Sequence, residues 1–220
     1  VLGAIFRHLA DSVSVPVVLH LDHGRSMDEA RTAMDEGFTS VMFDGSDLPL
    51  AENIRLTRDI ARLAHDKGVS CEGEIGFVGY AGGATSARTN PSEAAEFALE
   101  TGVDAMAVSV GNVHLQQGQT GAIDDRALAA IAIATRGRVP LVIHGGSGVP
   151  SADRHRLART TPICKFNIGT ELRQAFGAAL RQSIADQPDE FDRIKLLSPT
   201  EAPLVTATRR ILNELSGMGG

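Results

Sequence analysis

Val17-Val18-Leu19-His20-Leu21-Asp22-His23-Gly24 is a run of β-branched and leucine side chains that stops abruptly at an acid, an imidazole and a glycine. Apolar residues in such a run read as a strand buried on both faces, and Gly24 marks its end. A carboxylate beside an imidazole is costly to bury and well suited to metal-assisted acid–base chemistry. Strict alternation along a strand sends Asp22 and His23 to opposite faces, so both reach one site only if the chain turns there, as Gly24 allows.

The same grammar recurs down the chain. Apolar runs predict strands over residues 15–21, 40–43, 69–75, 105–110, 141–143 and 163–168. Helical spacing predicts helices over 1–12, 27–36, 50–67, 92–101, 125–135, 151–159, 171–184 and 200–215. Ser26 with Glu29 forms a capping box for the second of these, Ser92 is the expected cap of the fourth, and residues 77–89, rich in glycine and small side chains, read as a mobile loop. Strands alternating with helices imply parallel pairing through crossovers, and continuous apolar strands imply cover on both faces.

Polar punctuation falls at or just beyond the strand ends: Asp22-His23, Asp44, Glu74, His114, His144 and Asn167. An open doubly wound sheet concentrates its site at one switch point, whereas a (β/α)8 TIM barrel spreads it over many strand tips. The barrel is therefore the expected α/β architecture, as a single domain over residues 1–220. Only six strands are legible.

Composition sets the outer bounds. The 220 residues are 43% hydrophobic and 22% charged, enough for a substantial core, with a net charge of −6 that argues against a nucleic-acid partner. Aromatic residues make up 4% and tryptophan is absent, so a base-stacking surface is not expected. No apolar run approaches the roughly 20 residues of a membrane span, and no signal peptide opens the chain. Cys71 and Cys164, each inside an apolar strand-like run with no CxxC pattern, read as two small buried hydrophobes in a reducing cytoplasm.

Three imidazoles with an open fourth position make a catalytic zinc set, and His23, His114 and His144 occupy matching places after strands. His20 reads instead as a buried histidine, and His8, His65 and His155 as surface residues on helices. Asp44 and Glu74 offer hard oxygens to a second metal position, acceptors for ligating imidazoles, or helix caps. His144-Gly145-Gly146-Ser147-Gly148 and Asn167-Ile168-Gly169-Thr170 follow the last two strands, where barrels hold phosphate on backbone N–H groups.

Read in order, Leu19-His20-Leu21-Asp22-His23, Phe43-Asp44-Gly45-Ser46, Glu72-Gly73-Glu74-Ile75-Gly76, Val142-Ile143-His144-Gly145-Gly146-Ser147 and Lys165-Phe166-Asn167-Ile168-Gly169-Thr170-Glu171-Leu172 resemble the motifs of class II, zinc-dependent fructose-bisphosphate and tagatose-bisphosphate aldolases. The resemblance runs from about Val15 to Phe176. It implies Zn2+ on His23, His114 and His144, and Asp22 as the catalytic proton donor and acceptor. Asp44 and Glu74 match acidic positions of a secondary site for another divalent or a monovalent cation. Gly145, Gly146, Ser147, Asn167, Ile168, Gly169 and Thr170 would hold the phosphate and hydroxyls of dihydroxyacetone phosphate. The implied reaction is reversible aldol cleavage of a ketose (bis)phosphate, with fructose 1,6-bisphosphate as the expected substrate type. A metal ion at the ketone oxygen stabilises the charge that develops when the carbon–carbon bond breaks, so no lysine Schiff base is required.

The resemblance also implies a homo-oligomer, a dimer or tetramer, and two further barrel strands before residue 1. Three positions depart from the pattern. Tyr80-Ala81-Gly82-Gly83 carries no acid where the family's loop has a proposed base. Leu115 stands where a glycine is expected. Ile194 takes the place of the arginine for a second phosphate, with Arg193 and Lys195 beside it. On the residues alone two other readings stay open: a zinc-dependent hydrolase on the same ligands, and a non-catalytic sugar-phosphate-binding relative.

Overall fold

A computed structural model describes residues 2–83, 85–118 and 121–217. Ala84, inside the expected 77–89 loop, lies outside the described residues, as do Gln119 and Thr120 in the following glycine- and glutamine-rich segment.

Six strands are described: β1 (His20–Gly24), β2 (Ser40–Phe43), β3 (Ser70–Ile75), β4 (Ala105–Val108), β5 (Leu141–Ile143) and β6 (Ile163–Phe166), hydrogen-bonded in sequence order. The pairing is parallel, with His20 opposite Ser40, Phe43 opposite Gly73, Glu74 opposite Ala107, and Met106 opposite Leu141. The helices are α1 (Leu2–Asp11), α2 (Met27–Asp35), α3 (Leu50–Asp66), α4 (Pro91–Thr101), α5 (Asp125–Thr135), α6 (Ser151–Thr160), α7 (Thr170–Asp186), α8 (Arg193–Leu197) and α9 (Glu201–Ser216). This is a parallel α/β fold of alternating strands and helices, and the eight strands of a complete (β/α)8 barrel are not among the described residues. The short helix α8 has no counterpart in the sequence reading.

The chain divides into two compact units. The first holds the chain up to Phe77 with Ser86–Val110 and Asp124–Val142; the second holds Val78–Thr85, Gly111–Ile123 and the chain from Ile143 onward. In the first, Met42, Ala107 and Val142 pack as a fully buried cluster, and Phe97 of α4 fills the space over Gly73, where a Cβ would meet its ring at 2.8 Å. Large apolar side chains buried this way each contribute about 1.5–3 kcal/mol relative to exposure.

Three expectations need correction here. Only Cys71 is buried; Cys164 is exposed, on the last described strand of the sheet, β6. β1 begins at His20 rather than residue 15, and Val15, Val17 and Val18 are exposed at 62%, 48% and 63%. The described sheet ends at β1 and offers no neighbour on that side, so the valine-rich lead-in has nothing to pair with. The cap of α4 is Asn90, whose side chain accepts hydrogen bonds from the N–H groups of Ser92 and Glu93; Pro91 at the first helical position starts the helix one residue earlier than its serine suggested.

Candidate metal centre and anion-binding loops

The turn that the Asp-His pair requires is made by His23 itself. Its φ is 54°, left-handed, and the β1–β2 register shifts between Leu21 and Gly24. A non-glycine residue in that region costs on the order of 1–2 kcal/mol, so the surroundings must hold it there. They do so through the imidazole. His23 Nδ1 lies 2.7 Å from Asp44 Oδ2 and 3.7 Å from Glu74 Oε2. Gly24 contributes by close approach instead, since a Cβ there would stand 2.7 Å from the Met42 carbonyl oxygen. Asp22 is exposed beside them.

Asp44 is almost fully buried at the tip of β2. Its Oδ1 accepts from the Ser46 N–H (3.1 Å) and hydroxyl (2.6 Å), and its Oδ2 faces Arg25 Nη2 at 3.1 Å. Burial alone would push its pKa up, but the hydrogen bonds from His23 and Ser46 and the Arg25 charge prevail and hold it well below the usual carboxylate range. Burial likewise pulls His23 down, and the Asp44 hydrogen bond with the charges of Asp22, Glu74 and Asp44 raises it overall. An imidazole whose Nδ1–H is donated to a carboxylate presents the lone pair of Nε2, the arrangement that orients metal-ligating histidines. His23, Asp44 and Glu74 bring ligand atoms within 4.8 Å of one another. His20 stands apart, half-buried, with Nδ1 at 2.8 Å from the Ser40 hydroxyl and Nε2 at 3.6 Å from Glu72.

The second unit holds the other two histidines. His144 follows β5 and is fully buried; His114 lies beyond β4, and their ring centroids are 5.7 Å apart. The peptide of His114 is clamped on both sides, its N–H donating to the Gly79 carbonyl and its carbonyl accepting from the Ala81 N–H. Tyr80 stacks on the ring at 4.9 Å. The buried Asn112 amide donates to the His144 carbonyl at 3.0 Å. Leu115 is left-handed, φ 57°, a conformation suited to the glycine it replaces.

The two glycine loops meet in this unit. The Gly146 N–H donates to the Asn167 carbonyl at 2.9 Å, and the Glu171 N–H at the start of α7 donates to the Ser147 hydroxyl at 3.3 Å. Gly145 has φ 66°, and a Cβ there would collide with the Val113 carbonyl, so only glycine allows this approach. Backbone N–H groups at a helix start favour an anion.

Sequence reasoning missed Tyr80, Asn112 and above all Arg154, which is fully buried behind the β5 loop. The sequence reading gives residues 151–159 only as a helix; Arg154 stands three residues before the buried Leu157 on one side of α6, and that spacing is the one local signal of its burial. His155 is not a surface residue either, being half-buried and packed where a Cβ on Gly217 would stand.

Residues 1–219 match the family model described as fructose-bisphosphate aldolase class-II. A 6-phospho-5-dehydro-2-deoxy-D-gluconate aldolase of Shouchella clausii is 39% identical over 210 residues, 94% of this chain and 70% of that protein. A fructose-bisphosphate aldolase of Staphylococcus epidermidis is 34% identical over 209 residues, 92% of this chain and 71% of that protein. Another, from Geobacillus stearothermophilus, is 36% identical over 192 residues, and the chain spans 66% of its length. Among solved structures, the YdjI aldolase of Escherichia coli K12 superposes with a TM-score of 0.75 at 32% identity, covering 96% of this chain and 73% of that one. The chain belongs to the class-II fructose-bisphosphate aldolase family.

Proposed function

We propose that this protein is a zinc-dependent aldolase that reversibly joins dihydroxyacetone phosphate to an aldehyde. The observation that supports this most is the joining of the His144 loop to the Asn167–Thr170 loop through the Gly146–Asn167 hydrogen bond. It supports a candidate metal ligand lying beside two glycine-bearing loops suited to an anion, for which a simple zinc hydrolase has no need.

The donor set suits zinc: three imidazoles, His23, His114 and His144, one of them oriented by a carboxylate. Zinc, when bound, would supply Lewis-acid polarisation of the substrate's ketone oxygen. Asp44 holds the His23 ring in place, and with Glu74 it offers a second cation position. Asp22, exposed next to His23, moves the proton of the acceptor-derived hydroxyl: it takes that proton as the oxygen becomes the aldehyde carbonyl and the carbon–carbon bond beside it breaks, and it returns the proton on condensation. Gly145, Gly146, Ser147, Asn167, Ile168, Gly169 and Thr170 hold the phosphate.

Lys195 pairs with Glu190 at 2.8 Å and Ile194 is exposed, so neither supports a second phosphate there. Arg173 and Arg181 instead line a cleft of about 360 Å3 with Thr170 and Gln174, which suits an anionic group on the acceptor aldehyde. The protein is expected to work as a homo-oligomer on soluble sugar phosphates in the cytoplasm.

A panel of aldehydes offered with dihydroxyacetone phosphate and zinc, with product stereochemistry determined, identifies the acceptor. Chelation should abolish condensation, and His114→Ala should lose zinc by metal analysis. Full activity after complete zinc removal overturns the proposal. Release of inorganic phosphate in place of triose phosphate would favour a hydrolase.

A further inference from the structure

Among the described residues, the guanidinium of Arg154 is the largest fully buried polar group, and it is held by a network of named partners. Nε donates to the Gly146 carbonyl at 3.0 Å and Nη2 to the Ser147 carbonyl at 3.0 Å. Nη2 also pairs with Glu171 Oε1, and Nη1 with Glu214 Oε2 at 3.1 Å. Arg210 closes the set, with Nη2 at 2.8 Å from Glu171 Oε2 and Nη1 at 2.6 Å from Glu214 Oε1. Stability alone does not account for it, because well-packed apolar residues usually replace a buried ion network at no cost.

The geometry accounts for it better. A trans peptide points its C=O and N–H in opposite directions. The carbonyl of Gly146 shares its peptide with the N–H of Ser147, so fixing that carbonyl on the guanidinium aims the Ser147 N–H away from Arg154. Among the described residues no acceptor takes up this N–H. The neighbouring Gly148 N–H is already spent on the Gly145 carbonyl at 3.0 Å. Charge matters as well. Glu171 lies in the first turn of α7, where the Glu171 N–H meets the Ser147 hydroxyl, and an uncompensated carboxylate there would repel an incoming anion. Arg154 takes one of its oxygens and Arg210 the other, so the two guanidiniums and two carboxylates sum to zero.

We propose that Arg154 is the positioning residue of the phosphate site: it fixes the peptides of residues 146–148 so that the Ser147 N–H faces the ligand, and it cancels the charge of Glu171. The role rests on the phosphate reading of the two loops given above, and it assigns no contact between Arg154 and substrate.

The test uses the zinc-loaded protein and inorganic phosphate as probe, measured by calorimetry and by competition with substrate. Arg154→Lys keeps the charge but loses the fork that spans two carbonyls. Its phosphate Kd and substrate KM should rise roughly tenfold, with kcat within about twofold and zinc content unchanged, a split that general loosening of the fold would not produce. A folded Arg154→Lys protein that binds phosphate as tightly as wild type, or that loses kcat with KM unchanged, overturns the role. Should that variant not fold, Arg210→Gln at the exposed side of the network serves instead. It should weaken phosphate binding about threefold at low salt and less at high salt, and unchanged binding at low salt overturns the role equally. A wild-type protein that turns over substrate without binding phosphate overturns the phosphate reading itself, a different outcome from normal wild-type binding with an indifferent Arg154→Lys.

Discussion

The tips of β2 and β5 solve opposite problems with the same device. At the end of β2 one buried carboxylate, Asp44, gathers His23, Ser46 and Arg25, and so fixes the orientation of the imidazole ring. At the end of β5 one buried guanidinium, Arg154, gathers the carbonyls of Gly146 and Ser147, and what it leaves outward is an N–H. On the function proposed above, the first arrangement serves a cation and the second an anion. In both, a buried charge orients a neighbouring group.

That contrast can be broken one end at a time. The largest effect is expected where neither end is altered: Asp22→Ala should keep both zinc and phosphate affinity yet lose aldol cleavage by roughly 10²–10⁴, the range for one general acid–base group. Unchanged turnover would remove Asp22 from the chemistry. Asp44→Ala should strike the cation end alone. Zinc affinity should fall about 10–100-fold by competition with a chelating dye, while phosphate affinity stays put; equal losses of both would mean that the two ends are not separable.

Smaller effects bear on how each end is held. Leu115→Gly should stabilise the protein by about 1 kcal/mol in urea unfolding, by relieving the left-handed backbone after His114, and destabilisation would show that the leucine side chain contributes packing. The acid limb is subtler. The Asp44 pKa is depressed in the folded state, so its contribution is present above the ordinary carboxylate value near about 3.9 and fades as pH falls towards the folded value. Stability of the zinc-free protein should therefore drop on acidification below about pH 4, less steeply in Asp44→Asn. Parallel acid limbs in the two proteins would contradict the depressed pKa.

Much of this was legible because strand ends announce themselves. β2 and β5 run over the residues that their apolar composition marks, and α5 runs over the 125–135 that its helical spacing marks. The polar residues after the strands, His144 and the Gly145–Ser147 and Asn167–Thr170 loops, stand out because glycine and hydroxyl side chains interrupt apolar runs. What stayed hidden depends on contacts between distant segments. The three valines and one leucine from Val15 to Leu19 look like a core strand whether or not a neighbour covers them. The left-handed turn is made by His23 and not by the glycine that follows, since the hydrogen bond to Asp44 supplies what the backbone alone disfavours. Arg154 was illegible because a buried arginine and a solvated one are the same letter. Its meaning comes from Glu171 and Glu214, 17 and 60 residues away.

The shared carboxylate of Glu171 has one more consequence. Arg210 and Glu214 belong to α9, so the last helix of the described chain is wired to the loop that follows β5. Coupling of this kind runs both ways. A protease that nicks the segment between α8 and α9 would degrade the protein's grip on its ligand long before it unfolded the sheet, and a saturating ligand should in turn shield that segment from cutting. Wear at the far end of the chain would then register first as weakened binding, in a population of molecules that still look intact by size and spectroscopy.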